Sequence, residues 1–100
     1  MTDKKVALVT GGSRGIGRAC ALRLAKDGYT VVVNYSHSTT PAEETLAQII
    51  AEGGSGLIYK ADVCKLDEVK AMVRDVFKEY GTIDVLVNNA ANVALKDGRV

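Results

Sequence analysis

The sequence predicts an α/β fold in which four parallel strands form half of a doubly wound sheet, in the order 3-2-1-4, with helices on both faces. Short β-branched runs alternate with longer amphipathic segments, a pattern typical of strand–helix–strand units with right-handed crossovers. Two of the short runs, 31–33 and 85–87, are continuously apolar, as expected of strands covered on both faces. A glycine-rich turn follows the first run at the point where a helix is expected to begin.

The four strands and the first helix are predicted from the pattern of apolar residues. Apolar residues at positions 16, 20 and 24 recur every four residues and so lie on one face of a helix over Gly15–Asp27, which Gly28 is expected to end. The predicted strands are Lys5–Thr10, Thr30–Tyr35, Gly56–Lys60 and Ile83–Val87.

The second helix is predicted over Pro41–Glu52. Thr40 is expected to cap it, and Pro41 suits the first helical position because its missing N–H has no acceptor there in any case. Two glycines at 53 and 54 end it.

The third helix is predicted over Leu66–Tyr80, with Gly81 as its end. Its apolar residues are expected to be buried against the sheet. They are Val69, Val73, Val76, Phe77 and Tyr80.

Composition and charge narrow the class of protein. The 100 residues form one predicted domain, with 47% hydrophobic residues and a single proline, which is a globular composition. Since 13 basic residues balance 12 acidic ones, we expect no binding to nucleic acid or to an anionic membrane. Cys20 and Cys64 have neither disulfide nor metal-site spacing, so we expect no metal site and a cytoplasmic location.

Residues 10–17 read Thr-Gly-Gly-Ser-Arg-Gly-Ile-Gly and form the most informative segment of the chain. Glycines at 11, 15 and 17 allow backbone to approach an anion closely, and the helix that begins there offers unpaired N–H groups to a phosphate. Gly17 is followed by Arg18 and not by the lysine of a mononucleotide P-loop. The turn therefore predicts a dinucleotide site.

The end of the second strand bears on which dinucleotide binds. A carboxylate there would accept a hydrogen bond from the ribose 2′-hydroxyl of NAD(H) and repel the 2′-phosphate of NADP(H). This strand ends in Asn34, Tyr35 and Ser36, with no carboxylate until Glu43. Arg14 in the turn can pair with a phosphate, and Asn34 and Ser36 can add hydrogen bonds. NADP(H) is favoured over NAD(H).

Three motifs together resemble the short-chain dehydrogenase/reductase family. They are the turn at 10–17, the pair Asp62-Val63 after the third strand, and the run 88–91, which reads Asn-Asn-Ala-Ala. The likeness extends to the 3-oxoacyl-acyl-carrier-protein and acetoacetyl-CoA reductases, and the chain aligns with their N-terminal, cofactor-binding half. Ala91 departs from the family, which usually has glycine there, and residues 92–100 match it loosely.

The resemblance implies roles for individual residues. Asp62 would accept a hydrogen bond from the adenine amino group, Val63 would line the adenine slot, and Asn88 would brace the central strands. Asn89, Ala90 and Ala91 would run beside the ribose. The residues expected to hold the phosphates are Gly11, Ser13, Arg14, Gly15, Ile16 and Gly17.

The resemblance also implies that catalysis needs a serine, a further asparagine and a Tyr-x-x-x-Lys pair, in which lysine lowers the tyrosine pKa. None of the tyrosines at 29, 35, 59 and 80 has a lysine four residues later, so no residue is assigned to catalysis. His37, on a polar loop, is interpreted as a solvated side chain. A carbonyl substrate is expected only with the C-terminal half of such enzymes, and the family's tetramer is not expected.

One alternative remains open at this point. The outer edge of the fourth strand has no predicted neighbour, so the chain could instead be a non-catalytic nucleotide-sensing or interaction module that pairs through this edge.

Overall fold

The computed structural model describes residues 4–89 as seven elements in strict alternation. The strands are β1 (Val6–Thr10), β2 (Thr30–Tyr35), β3 (Ser55–Lys60) and β4 (Val85–Asn88). The helices are α1 (Gly15–Lys26), α2 (Thr39–Ala51) and α3 (Leu66–Tyr80). All strand pairs are parallel and the order is β3-β2-β1-β4, which confirms the predicted fold class.

The two central strands are buried along their whole length, and their alternate side chains point to opposite faces of the sheet. On one face, α1 and α2 pack against Val9, Val31 and Val33. On the other, α3 packs through Met72 and Val76. In the part of the chain that the structure describes, no helix is long and apolar enough to cross a membrane.

The starts of two elements, α2 and β4, each differ from the prediction by two residues. The helix α2 begins at Thr39, so Ser38 and not Thr40 is its N-cap, and Pro41 takes the third helical position. Proline is tolerated there because the first four N–H groups of a helix have no intrahelical acceptor. The strand β4 begins at Val85 because Asp84, just before it, engages both backbone groups of Val6. The Asp84 N–H donates to the Val6 carbonyl, and the Asp84 carboxylate accepts from the Val6 N–H at 2.8 Å.

The burial predicted for α3 was partly wrong. Phe77 is 47% exposed, whereas Met72, which was not on the predicted list, is 1% exposed. The buried face of α3 is centred on Met72 and Val76, and Phe77 is exposed because it lies farthest from them around the helix; Val69, Val73 and Tyr80 lie between and are half-buried.

Candidate functional site

A cleft of about 340 Å³ opens at the carboxyl ends of β1 and β2, between the N-terminal ends of α1 and α2. In an open parallel sheet ligands bind outside the carboxyl ends of the strands, near the point where the strand order reverses, which here lies between β1 and β4. None of the described residues that line the cleft is an aspartate or a glutamate. The lining residues are Gly11, Ser13, Arg14, Tyr35, Ser36, His37, Ser38 and Asn89.

The glycine turn brings backbone N–H groups to one end of this cleft. Gly11 has a φ of 62° and Gly15 a φ of 55°, a left-handed conformation that residues with a Cβ rarely adopt. Arg14 is the N-cap of α1, makes no side-chain capping bond and is exposed. The first N–H groups of α1 lack intrahelical acceptors, which favours an anion at this position.

Gly17 keeps α1 close to the turn. A Cβ at this position would lie 2.1 Å from the Gly11 carbonyl oxygen and 2.7 Å from Nδ2 of Asn89. That Nδ2 donates to the same carbonyl at 3.3 Å. Gly17 is therefore required because the backbone of α1 and the backbone of the turn are in contact there.

The Thr10 hydroxyl joins the turn to the end of β4. It accepts a hydrogen bond from the Asn89 N–H at 2.9 Å. Its own proton faces two acceptors, the Val87 carbonyl at 3.3 Å and Oδ1 of Asn88 at 3.1 Å. Hydrogen bonds of both its backbone N–H and its side-chain amide hold Asn89 at the cleft. Asn88 is exposed.

The position of Asn34 differs from the prediction. We expected its amide to add hydrogen bonds to the cofactor, but the residue is 2% exposed and its amide is engaged within the chain. Its Oδ1 accepts from the Gly11 N–H at 3.2 Å, and its Nδ2 donates to the carbonyls of Ala61 at 3.1 Å and Tyr59 at 3.3 Å. Asn34 thus fastens the glycine turn to the end of β3 and does not line the cleft.

The other wall of the cleft is the segment from β2 to α2. Ser36, His37 and Ser38 are all exposed, and Ser38 is the N-cap of α2 with no side-chain capping bond. Sequence reasoning did not select His37 and Ser38, although both follow a strand that ends at the same sheet edge as the turn. The fully buried hydroxyl of Thr45 connects α2 to the turn, because its proton faces the Ser13 carbonyl at 3.2 Å and the Pro41 carbonyl at 3.0 Å.

The loop after β3 carries Asp62. Its N–H donates to the Glu68 carboxylate at 2.8 Å, and its own Oδ1 accepts from the Cys64 N–H at 2.9 Å. The second bond orients its carboxylate, and the first joins its backbone to Glu68 in α3.

Within the described residues, six predicted site residues are not part of the cleft lining. They are Gly15, Ile16, Gly17, Asn34, Asp62 and Val63. Val63 lines a second, more apolar cavity of about 420 Å³ with Leu8 and Leu86. Ile16 is 75% exposed and lies on the side of α1 that faces Val87. Ala90 and Ala91 lie outside the described residues.

The titratable groups with shifted pKa values lie away from the cleft. A 2.5 Å hydrogen bond from Tyr59 to Asp75 raises the pKa of the phenol and lowers the pKa of the carboxyl. Burial raises the pKa of Tyr80. Within residues 4–89 there is also no group of three or more His, Cys, Asp and Glu side chains that could hold a metal ion.

Comparison with known proteins places this geometry in a family. Residues 5–98 match the family described as short chain dehydrogenase. The chain is 52% identical over 90 residues to the 3-oxoacyl-[acyl-carrier-protein] reductase FabG of Staphylococcus aureus (strain N315), which covers 90% of this chain and 37% of that protein. It therefore spans little more than a third of that relative's length.

A shorter relative and a solved structure extend the comparison. The short-chain dehydrogenase/reductase homolog YusS of Bacillus subtilis (strain 168) is 48% identical over 87 residues, which cover 87% of this chain and 80% of that protein. A metagenomic short-chain oxidoreductase, solved in complex with NADP, is 37% identical with a TM-score of 0.83. That match covers 86% of this chain and 38% of the solved one.

Proposed function

The chain belongs to the short chain dehydrogenase family, and on this basis we propose that its cleft is the NADP(H) site of a reductase. The reductase would transfer hydride between the nicotinamide and a carbonyl or alcohol group, with a 3-oxoacyl compound as the proposed substrate. The observation that carries the proposal is the charge of the cleft. It joins the N-terminal ends of two helices and an arginine, and no carboxylate is among its described lining residues.

The residues of the chain would divide the work of holding the dinucleotide. The N–H groups at the start of α1 would bind the pyrophosphate. Arg14 and Ser36, on opposite walls of the cleft, would hold the adenosine 2′-phosphate. Asp62 would accept from the adenine amino group, and Asn89 would lie along the ribose.

Asn34 takes a different part in this proposal from the one predicted from sequence. Since its amide is buried and bonded to three backbone groups, it would position the turn and would not touch the cofactor. Preference for NADP(H) would then depend on Arg14 and on the segment 36–38.

Bound NADPH would supply the hydride, and the residues described here would bind and orient it. We propose that this 100-residue chain does not turn over substrate by itself, because no tyrosine in it is followed four residues later by lysine. NADPH oxidation with acetoacetyl-CoA tests this, and clear turnover would contradict it. We also propose a reducing, cytoplasmic setting, in keeping with the two free cysteines Cys20 and Cys64.

Isothermal titration calorimetry of the chain with NADP⁺ and NAD⁺ tests the cofactor. We expect NADP⁺ to bind more tightly, and Arg14→Gln to weaken NADP⁺ binding by roughly tenfold with little effect on NAD⁺, since a charge-assisted hydrogen bond is lost. Lys70→Gln is the matched control, because it removes an exposed cation from α3, outside the cleft. Equal affinities for the two dinucleotides would sink the assignment.

A second candidate function is an interaction module, and the exposure of β4 favours it. This strand pairs only with β1 among the described strands, and its Leu86 is 61% exposed. A stable dimer in analytical ultracentrifugation that is unaffected by NADPH would support this function, and a monomer at all concentrations would exclude it.

A further inference from the structure

Thr45 is a buried polar residue of α2 whose hydroxyl reaches beyond its own helix to the glycine turn. Its Oγ1 lies 3.2 Å from the Ser13 carbonyl oxygen and 3.0 Å from the Pro41 carbonyl oxygen. Inside a helix, the carbonyl of residue 41 is the regular acceptor for the N–H of residue 45. Ser13 precedes the Arg14 N-cap of α1, so its carbonyl lies outside the helical ladder and takes the Thr45 hydroxyl as its donor.

This contact determines the orientation of the peptide group between Ser13 and Arg14, two residues that line the cleft. The peptide is trans and planar, so its carbonyl and its N–H point in opposite directions. Since the carbonyl oxygen points to the hydroxyl of a fully buried residue, its negative end is directed into the protein interior. A carbonyl oxygen turned into the cleft would instead repel an anion there.

A second hydrogen bond joins α2 to α1 next to this contact. Arg18 of α1 donates from its guanidinium to Oε1 of Gln48 in α2 at 2.8 Å, and both residues are half-buried. The helix α2 is therefore tied to the turn at Thr45 and to α1 at Gln48, which fixes one wall of the cleft relative to the other.

We infer that Thr45 is a positioning residue for the phosphates of the dinucleotide, because its hydroxyl keeps the Ser13 carbonyl turned inward and the glycine turn in the orientation that accepts an anion. The inference rests on the proposed function of the cleft, and it adds a buried residue that acts through Ser13. NADP(H) and NAD(H) share the pyrophosphate, so Thr45 affects the binding of both, whereas Arg14 is expected to affect NADP(H) alone.

Isothermal titration calorimetry of Thr45→Val with NADP⁺ and NAD⁺ tests the inference. Valine keeps the β-branched shape and loses the donor, so we expect both dissociation constants to rise roughly tenfold, as for a buried acceptor left without a partner. Thr45→Ser keeps the hydroxyl and should restore both affinities to within about twofold of the unaltered chain. Ile49→Val is the matched control, because it removes a methyl group from a fully buried side chain one turn further along α2 and should leave binding unchanged.

The amide resonance of Arg14 in the ligand-free chain reports the same peptide group without the cofactor. In heteronuclear NMR spectra this resonance should shift in Thr45→Val and stay in place in Thr45→Ser and Ile49→Val. A role of Thr45 in general stability alone would not produce this pattern.

The outcomes separate this inference from the function on which it rests. If the unaltered chain binds NADP⁺ and Thr45→Val binds it equally tightly, the role of Thr45 is overturned and the cleft keeps its assignment. Equal losses of affinity in Thr45→Val and Ile49→Val would also overturn it, because they would trace the loss to destabilisation of the fold. If the unaltered chain binds neither dinucleotide, the proposed function fails and the inference fails with it. Circular dichroism checks the fold of each variant, and Thr45→Ala provides a second reading if Thr45→Val does not fold.

Discussion

The strands β1 and β4 lie side by side with similar apolar sequences, and their burial differs sharply. Leu8 and Leu86 are partners in the register, but Leu8 is 2% exposed and Leu86 is 61% exposed. The strand β1 has a hydrogen-bonded neighbour on each side, whereas β4 has one on a single side within the described residues. Apolar residue content therefore identifies a strand, and its position in the sheet determines how much of it is buried.

The most direct test of this comparison truncates the two paired leucines. Leu8→Ala should lower the free energy of unfolding by about 2–5 kcal/mol, because it leaves a cavity in the core. Leu86→Ala should lower it by less than about 1 kcal/mol, because its side chain is mostly exposed already. Urea denaturation followed by circular dichroism measures both.

Similar losses for the two leucine variants would contradict the comparison. They would mean that Leu86 is covered in solution, either by another copy of the chain or by residues outside the described range.

A second test compares alanine substitutions at two glycines, one at the close contact between α1 and the turn and one in open space. Gly17→Ala should cost about 1–3 kcal/mol and weaken NADP⁺ binding, because its Cβ meets the Gly11 carbonyl oxygen at 2.1 Å. Gly53→Ala is the matched control, since its φ of 89° is unfavourable for alanine but its Cβ has nothing within 4 Å. It should cost about 1 kcal/mol and leave binding unchanged.

Thermal unfolding and calorimetry on the same samples report both quantities. If Gly53→Ala weakens binding as much as Gly17→Ala does, loss of binding reflects general destabilisation and not the contact between α1 and the turn.

The smallest effect is expected at the opposite edge of the sheet, where β3 is tied to α3 by the bond from Tyr59 to Asp75. This bond lowers the pKa of Asp75, so its contribution is present above the ordinary value of 3.8 and is lost as the pH falls through the lowered value. It also raises the pKa of Tyr59, so the contribution is present below 10.0 and is lost as the pH rises further.

The measurement compares Tyr59→Phe with the unaltered chain by urea midpoint at several pH values. The unaltered chain should be slightly more stable between about pH 5 and 9, and the difference should shrink on both sides of that range. A difference that does not vary with pH would show that the hydroxyl acts through packing and not through the carboxylate.

The order of elements and the strand pairing were predictable because they depend on local patterns. The bounds of β2 and α3 agree with the prediction to the residue, since continuous apolar runs and a following glycine mark them. The start of β4 was not predictable, because it is set by the hydrogen bond between Asp84 and Val6, which are 78 residues apart. The exposure of Phe77 likewise depends on how much sheet lies beneath α3.

In the candidate site, too, some residues were predictable from local patterns and others were not. The glycine turn and Arg14 were predictable from a local motif whose geometry follows from its own residues. The role of Asn34 was not, because its three backbone partners come from two other segments and no local pattern encodes them. His37 was interpreted as a solvated side chain and Ser38 was not selected, because a short polar loop has no periodicity. Their position in the cleft comes from the parallel pairing of β1 with β2.

The pairing of β1 with β4 also has a consequence for the order in which the molecule folds. The strand β1 obtains its second neighbour only from β4, residues 85–88. The Val6–Asp84 contact therefore encloses almost the entire chain. Closing so long a loop is slow, because its entropy is lost before the contact forms. During synthesis, the units from β1 to β3 can pair early while one side of β1 stays open to other chains. We therefore expect aggregation to be most severe in nascent chains that end before residue 85.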